Sequence, residues 1–153
     1  SMSERSLYFY RERRSAKAVL YLVLALSLSA YGPASNEKRS LKLEIVELKD
    51  VSTSTLHIEL LDASGVVFET RSIALAPHAT RQTFSVREVE QEEIAIRLFQ
   101  DLDGDGELDK NAFGMPTEPF GFSNDPVIRF GPPSTKEILI DLRAKTFTKI
   151  RMQ

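Results

Sequence analysis

The stretch TLHIELLDASGVVFETRSIAL, residues 55–75, decides the fold. Leu56, Ile58 and Leu60 alternate with Thr55, His57 and Glu59, and a period of two puts the apolar side chains on one face of a strand. Ala63-Ser64-Gly65 then turns the chain into VVFETRSIAL, so the stretch predicts a β-hairpin. The same alternation spreads both ways. Upstream, LKLEIVEL (41–48) sets Leu41, Leu43 and Ile45 against Lys42 and Glu44, with the phase blurring at Val46 and Leu48. Downstream, ATRQTFSVREV (79–89) opposes Phe84 and Val86 to Thr83 and Ser85, and EEIAIRLFQD (92–101) aligns Ile94, Ile96 and Leu98. TKEILIDLR (135–143) aligns Ile138, Ile140 and Leu142, and KTFTKIRM (145–152) offers Phe147 and Ile150. After residue 40 no convincing stripe repeats every 3.6 residues, and the short REVEQEE (87–93) reads equally as a helix or an acidic turn. Short strands without βαβ spacing predict an all-β fold: an antiparallel two-sheet sandwich of immunoglobulin/transthyretin-like type with about seven strands.

A chain of 153 residues, 42% apolar and 27% charged, has the balance of one globular domain. Its net charge of −2 is unevenly spread. Residues 1–32 hold five basic side chains (Arg5, Arg11, Arg13, Arg14, Lys17) and two acidic ones (Glu4, Glu12). Taking these from twenty and twenty-two leaves fifteen basic against twenty acidic, a net −5 for residues 33–153. That charge speaks against a nucleic-acid partner. AVLYLVLALSLSAY (18–31) follows the basic start and carries no charge. It falls short of the roughly 20 apolar residues of a spanning helix. It fits the basic, apolar and small-residue order of a secretory signal, with Ala30 and Gly32 as the small residues. A buried N-terminal helix is the alternative. Arg13-Arg14 suggests twin-arginine export, but Ser15, Ala16 and Lys17 follow where apolar residues belong, so general secretion fits better. The expected organisation is a signal peptide or membrane anchor over 1–32, a flexible start over 33–40 and a β-sandwich over 41–153. The location is then periplasmic or secreted, with no integral membrane domain beyond the N-terminal segment. The absence of cysteine excludes disulfides, thiolate metal sites, a cysteine nucleophile and a lipid-modified cysteine.

Between the strands ending near Gln100 and beginning near Thr135 lies a long segment that opens with DLDGDGELD (101–109), five carboxylates and two glycines in nine positions. Such like charges need a cation or many donors to neutralise them. Asp101, Asp103 and Asp105 followed by Gly106 have the spacing of a calcium loop, in which the carbonyl of Glu107 supplies the seventh position. Oxygen ligands suit a hard cation, and Ca2+ fits best. Position twelve, a bidentate Glu in an EF-hand, is Ala112. The reading is therefore a calcium loop among strands. Its missing ligand is Asp109 first, with Glu118 folding back or water as alternatives. A solvated acidic turn is the competing account. Phe113, Met115, Phe120, Phe122 and Phe130 crowd the same segment. Phe113, Phe120 and Phe122 are candidates for an exposed platform binding glycan, peptide or protein. The favoured expectation is a satellite core beneath the loop, with Gly114 and Gly121 taking angles closed to other residues while the phenylalanines turn inward.

DLDGDGELDKNAFGMPTEPFGFSND, with Asp101, Asp103, Asp105, Gly106, Leu108, Asp109, Gly114, Pro116, Glu118, Gly121, Phe122, Ser123 and Asn124, resembles the signature of the bacterial domain-of-unknown-function family 2141. That signature is an acidic Asp/Asn/Gly turn ending in Leu-Asp, then G-x-P-x-E, then G-F-S-N. The resemblance implies an exported bacterial β-sandwich and supplies no activity. The chain departs from the pattern where members carry a Gly-x-Tyr-Ala turn and a His ahead of the acidic turn; here EQEEIAI and FQD stand.

For catalysis the sequence offers little. His57 and His78, the two histidines, read as surface or turn residues without an evident serine partner or nucleophile elbow. Carboxylates in one tight turn do not straddle a sugar as a glycosidase pair does. The histidine-rich site of transthyretin-like hydrolases cannot be built here, and phosphate loops, dinucleotide fingerprints and histidine zinc motifs are absent. The expectation is a calcium-stabilised, non-enzymatic β-sandwich with a structural or binding role in the cell envelope, its partner an envelope protein or a glycan. A hydrolase is the weaker alternative.

Overall fold

The computed structural model describes residues 37–153; the readings made for residues 1–36 lie outside the described residues. The chain forms β1 (Arg39–Val46), β2 (Thr55–Leu61), β3 (Val67–Ala74), β4 (Arg81–Val89), β5 (Glu93–Asp101), β6 (Phe120–Phe122), α1 (Thr135–Ile138), β7 (Leu139–Asp141) and β8 (Phe147–Arg151). Sheet A has the order β4-β1-β8, and sheet B the order β3-β2-β5-β6. β7 joins sheet B on the same strand as β6: β6 pairs with Arg97–Phe99 and β7 with Glu93–Ala95 of β5. The result is a two-sheet β-sandwich. One pairing departs from the antiparallel expectation, because β8 runs parallel to β1. Among the described residues no helix is long and apolar enough to cross a membrane.

The alternating rows meet between the sheets. Leu41, Leu43 and Ile45 of β1, Leu56, Ile58 and Leu60 of β2, and Ile94, Ile96 and Leu98 of β5 are buried in one cluster with Ile140 and Ile150. Each such side chain stabilises the fold by about 1.5–3 kcal/mol. Val86 and Val89 are both buried although three residues apart. A bulge explains this: Leu41 and Arg39, two apart on β1, face Val86 and Val89, and Glu88 takes a φ of 58° to absorb the extra residue.

Three expectations are corrected. Thr135–Ile138, expected within a strand, is a single helical turn. Its capping box overrides the alternation: Ser134 N and Oγ both donate to Glu137 Oε2 at 2.7 Å. Phe147, expected to point inward, is 49% exposed, whereas Thr148, Ile150 and Met152 face the core. Of the two inward candidates on β8, Ile150 is buried and Phe147 is not, because residues three apart lie on opposite faces of a strand. Gly121 needs no unusual backbone angle; it is needed for its lack of a side chain. A Cβ there would lie 2.9 Å from Ile150 Cγ2 and 3.3 Å from Met152 Sδ. β6 therefore sits tight against the C-terminal strand, and its alternation sends Phe120 and Phe122 to the outer face of sheet B.

Candidate functional site

The acidic turn leaves β5 at Asp101 and returns beside its own start. Gln100 N donates to Pro119 O at 2.8 Å, and Glu118 folds back so that Oε1 accepts from Leu102 N at 2.7 Å and Oε2 from Asp109 N at 3.2 Å. Within the turn Asp101 Oδ1 accepts from Gly104 N at 2.7 Å and Oδ2 from Gly106 N at 3.0 Å. Asp103 Oδ1 accepts from Asp105 N, and Asp105 Oδ1 from Glu107 N. Gly106 has a φ of 82°, left-handed backbone that a glycine adopts without penalty. Six amides are thereby turned onto carboxylates.

Two carboxylate triplets overlap: Asp101, Asp103 and Asp105, and Asp103, Asp109 and Glu118, each with oxygens within 4.8 Å of one another. Asp103 belongs to both. Asp109 and Glu118, the two protein candidates for the missing ligand, are thus brought together beside it. The Glu107 side chain joins neither triplet. Electrostatics differ along the turn. Burial opposes ionisation of Asp101, but the Gly104 amide, the His57 ring and the Gly106 amide outweigh it and hold its pKa below the ordinary value. The Asp103 carboxylate, with burial and then Asp105, Glu118 and Asp101 adding to it, pushes Asp109 up. Asp109 bears the repulsion that the amides do not relieve.

Beyond the turn, residues 109–117 form a small hairpin. Thr117 N donates to Asp109 O, Asn111 N to Met115 O, and Asn111 Oδ1 accepts from Phe113 N and Met115 N. Phe113 at its tip is 91% exposed, and Phe130 in the following loop is 99% exposed. The expected satellite core does exist, but its members are Leu61, Ala95 and Ile138 with Val67, Phe122 and Leu139 packed on them. Of the loop phenylalanines only Phe122 joins it; Phe113, Met115 and Phe130 do not turn inward.

The register arranges the outer face of sheet B in two rows. Ser72, His57, Phe99 and Phe120 stand opposite one another on β3, β2, β5 and β6, and Thr70, Glu59, Arg97 and Phe122 form the next row. His57 stacks on Phe99 with centroids 4.9 Å apart, and Phe120 meets Phe122 edge to face at 5.9 Å. Arg97 Nε donates to Glu59 Oε2. His57 Nδ1 lies 2.9 Å from Ser72 Oγ, and Nε2 lies 3.1 Å from Asp101 Oδ2, a carboxylate only 2% exposed. The serine partner that the sequence does not reveal for His57 is therefore Ser72. The members of these rows on β2, β5 and β6, together with Gly106–Leu108, Lys110 and Pro132, line a half-open cleft of about 510 Å³. Phe120 and Phe122 line it; Phe113 does not. The sequence signal for this site is the outward phase of β2 and β5, where His57, Glu59, Arg97 and Phe99 recur at every second residue.

The rest of the signature is architectural. Ser123 Oγ, fully buried, accepts from Ile96 N at 3.0 Å and donates to Ile138 O. Asn124, with a φ of 66°, donates through Nδ2 to Leu139 O at 2.8 Å and Glu137 O at 3.2 Å. These bonds tie β6 to β5 and α1, as Glu118 ties the acidic turn to itself. The family model described as "uncharacterized protein conserved in bacteria", domain of unknown function 2141, matches residues 49–150. The chain belongs to this family. No curated protein and no solved structure matches it. In this family 2141 member His57, from the neighbouring strand, brings an imidazole to Asp101.

Proposed function

We propose that this family 2141 protein is an exported, calcium-stabilised β-sandwich with a structural or binding role in the cell envelope. The observation that carries the metal is the overlap of two carboxylate triplets on Asp103, with Asp109 left under repulsion. Hard oxygen ligands from Asp101, Asp103, Asp105, Asp109 and Glu118 suit Ca2+. Glu118 takes the place that Ala112 cannot fill. A site of about 0.1 mM affinity in roughly 2 mM calcium contributes about 1.8 kcal/mol. The test is the melting temperature of the metal-free protein titrated with calcium and magnesium. A saturable, calcium-selective rise of several degrees is expected; no shift with either ion in the folded protein refutes the metal. The envelope placement rests on the signal-like residues 1–32 and is checked by fractionating cells.

A second reading, a binding module, is favoured by the cleft beside the turn. Its occupant meets side chains of the sheet face and the turn residues Gly106–Leu108. Ser72, His57 and Asp101 match an acyl-transfer triad in composition, but we read them as a positioning line. Asp101 is held by two turn amides, and Ser72 and His57 are ordinary cross-strand neighbours in the β2–β3 ladder.

A further inference from the structure

We infer that the cleft on the outer face of sheet B binds a neutral carbohydrate chain, one pyranose ring stacking on the phenyl rows while its hydroxyls meet the charged row; this rests on the binding-module reading above. Four observations narrow the ligand to that class.

The first is the nature of the floor. It is the face of a sheet whose backbone groups are engaged in the β2–β3, β2–β5 and β5–β6 ladders. An extended peptide that adds to a sheet edge needs free backbone donors and acceptors, and a sheet face offers it none. Recognition here belongs to side chains.

The second is the distribution of those side chains. Phe99, Phe120 and Phe122 give phenyl surface at the β5–β6 end, while Glu59, Arg97 and His57 give donors and acceptors toward β2. Neighbouring strands lie about 4.8 Å apart and alternate residues along a strand about 6.8 Å apart. Phenyl surface and polar groups therefore sit within one ring's breadth. A pyranose has that same division, with an apolar C–H face and a rim of hydroxyls.

The third is charge. Arg97 and Lys110 are matched by Glu59 and Glu107, two against two. The acidic turn, which lines the cleft through Gly106–Leu108, adds Asp103, Asp105 and Asp109 close by. A phosphate-bearing or strongly acidic ligand meets net repulsion there. A hydroxyl meets no such penalty, because it donates to Glu59 and accepts from Arg97 in the same geometry.

The fourth is shape. At about 510 Å³ the cleft is within the range of small-molecule sites, and it is half open. An acyl chain wants an enclosed dry channel; a chain of sugar units needs an exit at each end.

The acidic turn also ties this site to the proposed ion. A cation that fixes the turn fixes Gly106–Leu108, and Asp101 already holds His57, a wall of the cleft. Ligand and calcium should therefore strengthen each other's binding by the same factor.

The test uses the whole protein in saturating calcium. Its probes are soluble hexaoses of β-1,4-glucose, β-1,4-N-acetylglucosamine, α-1,4-glucose and β-1,4-mannose, titrated by calorimetry. Binding of at least one is expected. Arg97→Gln and Glu59→Gln should each weaken it about tenfold, the loss of one paired polar contact, with no change in melting temperature, since both side chains are exposed. Phe120→Leu keeps an apolar side chain and removes the ring, and should weaken binding similarly. No binding to any hexaose overturns the proposal, as does binding indifferent to all three substitutions. Tighter binding of a phosphorylated or sulfated oligosaccharide than of its neutral parent overturns the neutral class. Variant-sensitive binding that persists unchanged in chelator upholds the glycan site and removes the ion from it. A calcium-dependent rise in melting temperature without hexaose binding leaves the ion and removes the glycan.

Discussion

Two polar knots hold the edge of sheet B, and they balance differently. In the Ser123–Asn124 knot the side-chain donors find acceptors: Ser123 Oγ links Ile96 N to Ile138 O, and Asn124 Nδ2 caps Glu137 and Leu139. In the acidic turn six amides are likewise consumed, yet carboxylate charge is left over, and Asp109 is pushed toward protonation by Asp103 before any other cause. Both knots fix a loop by side chain to backbone bonds. Only the second has an unmet demand, and an unmet demand at a surface is where a ligand gains affinity. The closed knot is complete within the fold, whereas the open one carries charge that the fold leaves uncompensated.

Substitutions that open the closed knot should have the largest effect. Ser123→Ala strands Ile96 N and Ile138 O in the interior and should cost about 2–3 kcal/mol, with or without calcium, as the urea midpoint would show. Gly121→Ala, which drives a methyl into Ile150, should cost about 1–3 kcal/mol; a neutral result would show that β8 yields and the contact is soft. Asp103→Ala, at the junction of the triplets, should lose about 1.8 kcal/mol in millimolar calcium and nothing in chelator. An equal loss in both conditions would make the open knot as structural as the closed one.

A subtler effect lies in pH. Asp101, with its pKa lowered in the fold, contributes stability that is present above the ordinary carboxylate range and is lost as pH falls through its lowered pKa. For Asp109, with its pKa raised, the contribution is present below that range and is lost as pH rises through the raised pKa. Metal-free Asp109→Asn should therefore melt slightly higher than the parent at pH 7, and the gain should vanish near pH 3; in calcium its sign should reverse. The smallest change is expected of Phe113→Ser, an exposed tip outside the cleft: within about 0.5 kcal/mol in stability, and none in hexaose titration.

β1, β2 and β5 and the main core are legible in the sequence because their apolar side chains recur at every second residue and form the buried row, whereas β3, which buries no residue fully, is announced by the turn ahead of it. Phe147 misleads because a phenylalanine reads as interior, while the inward position is Thr148, whose methyl and hydroxyl suit a buried edge. The helical turn at Thr135–Ile138 is legible only in Ser134 and Glu137, a capping box that the alternating Ile138 and Ile140 obscure. β6 escapes notice because three residues carry no period, and because its glycine is dictated by Ile150, distant in sequence. For the site, the acidic spacing announces the turn, but that Asp109 and Glu118 meet beside Asp103 emerges only in the fold. The cleft is invisible in the sequence, because His57, Phe99 and Phe120 become neighbours only through strand register.

The parallel pairing of β8 with β1 bears on the timing of folding. Lys42 waits for Phe147, and Ile45 for Ile150, contacts that span most of the chain. During synthesis β2, β3 and β5 can assemble a sheet with its apolar face uncovered, but the central strand of the opposing sheet keeps a bare edge until residues 147–151 emerge. Closure of the sandwich therefore depends on the last strand of the chain to be made, and cutting the chain before Phe147 should leave β1 without its parallel neighbour.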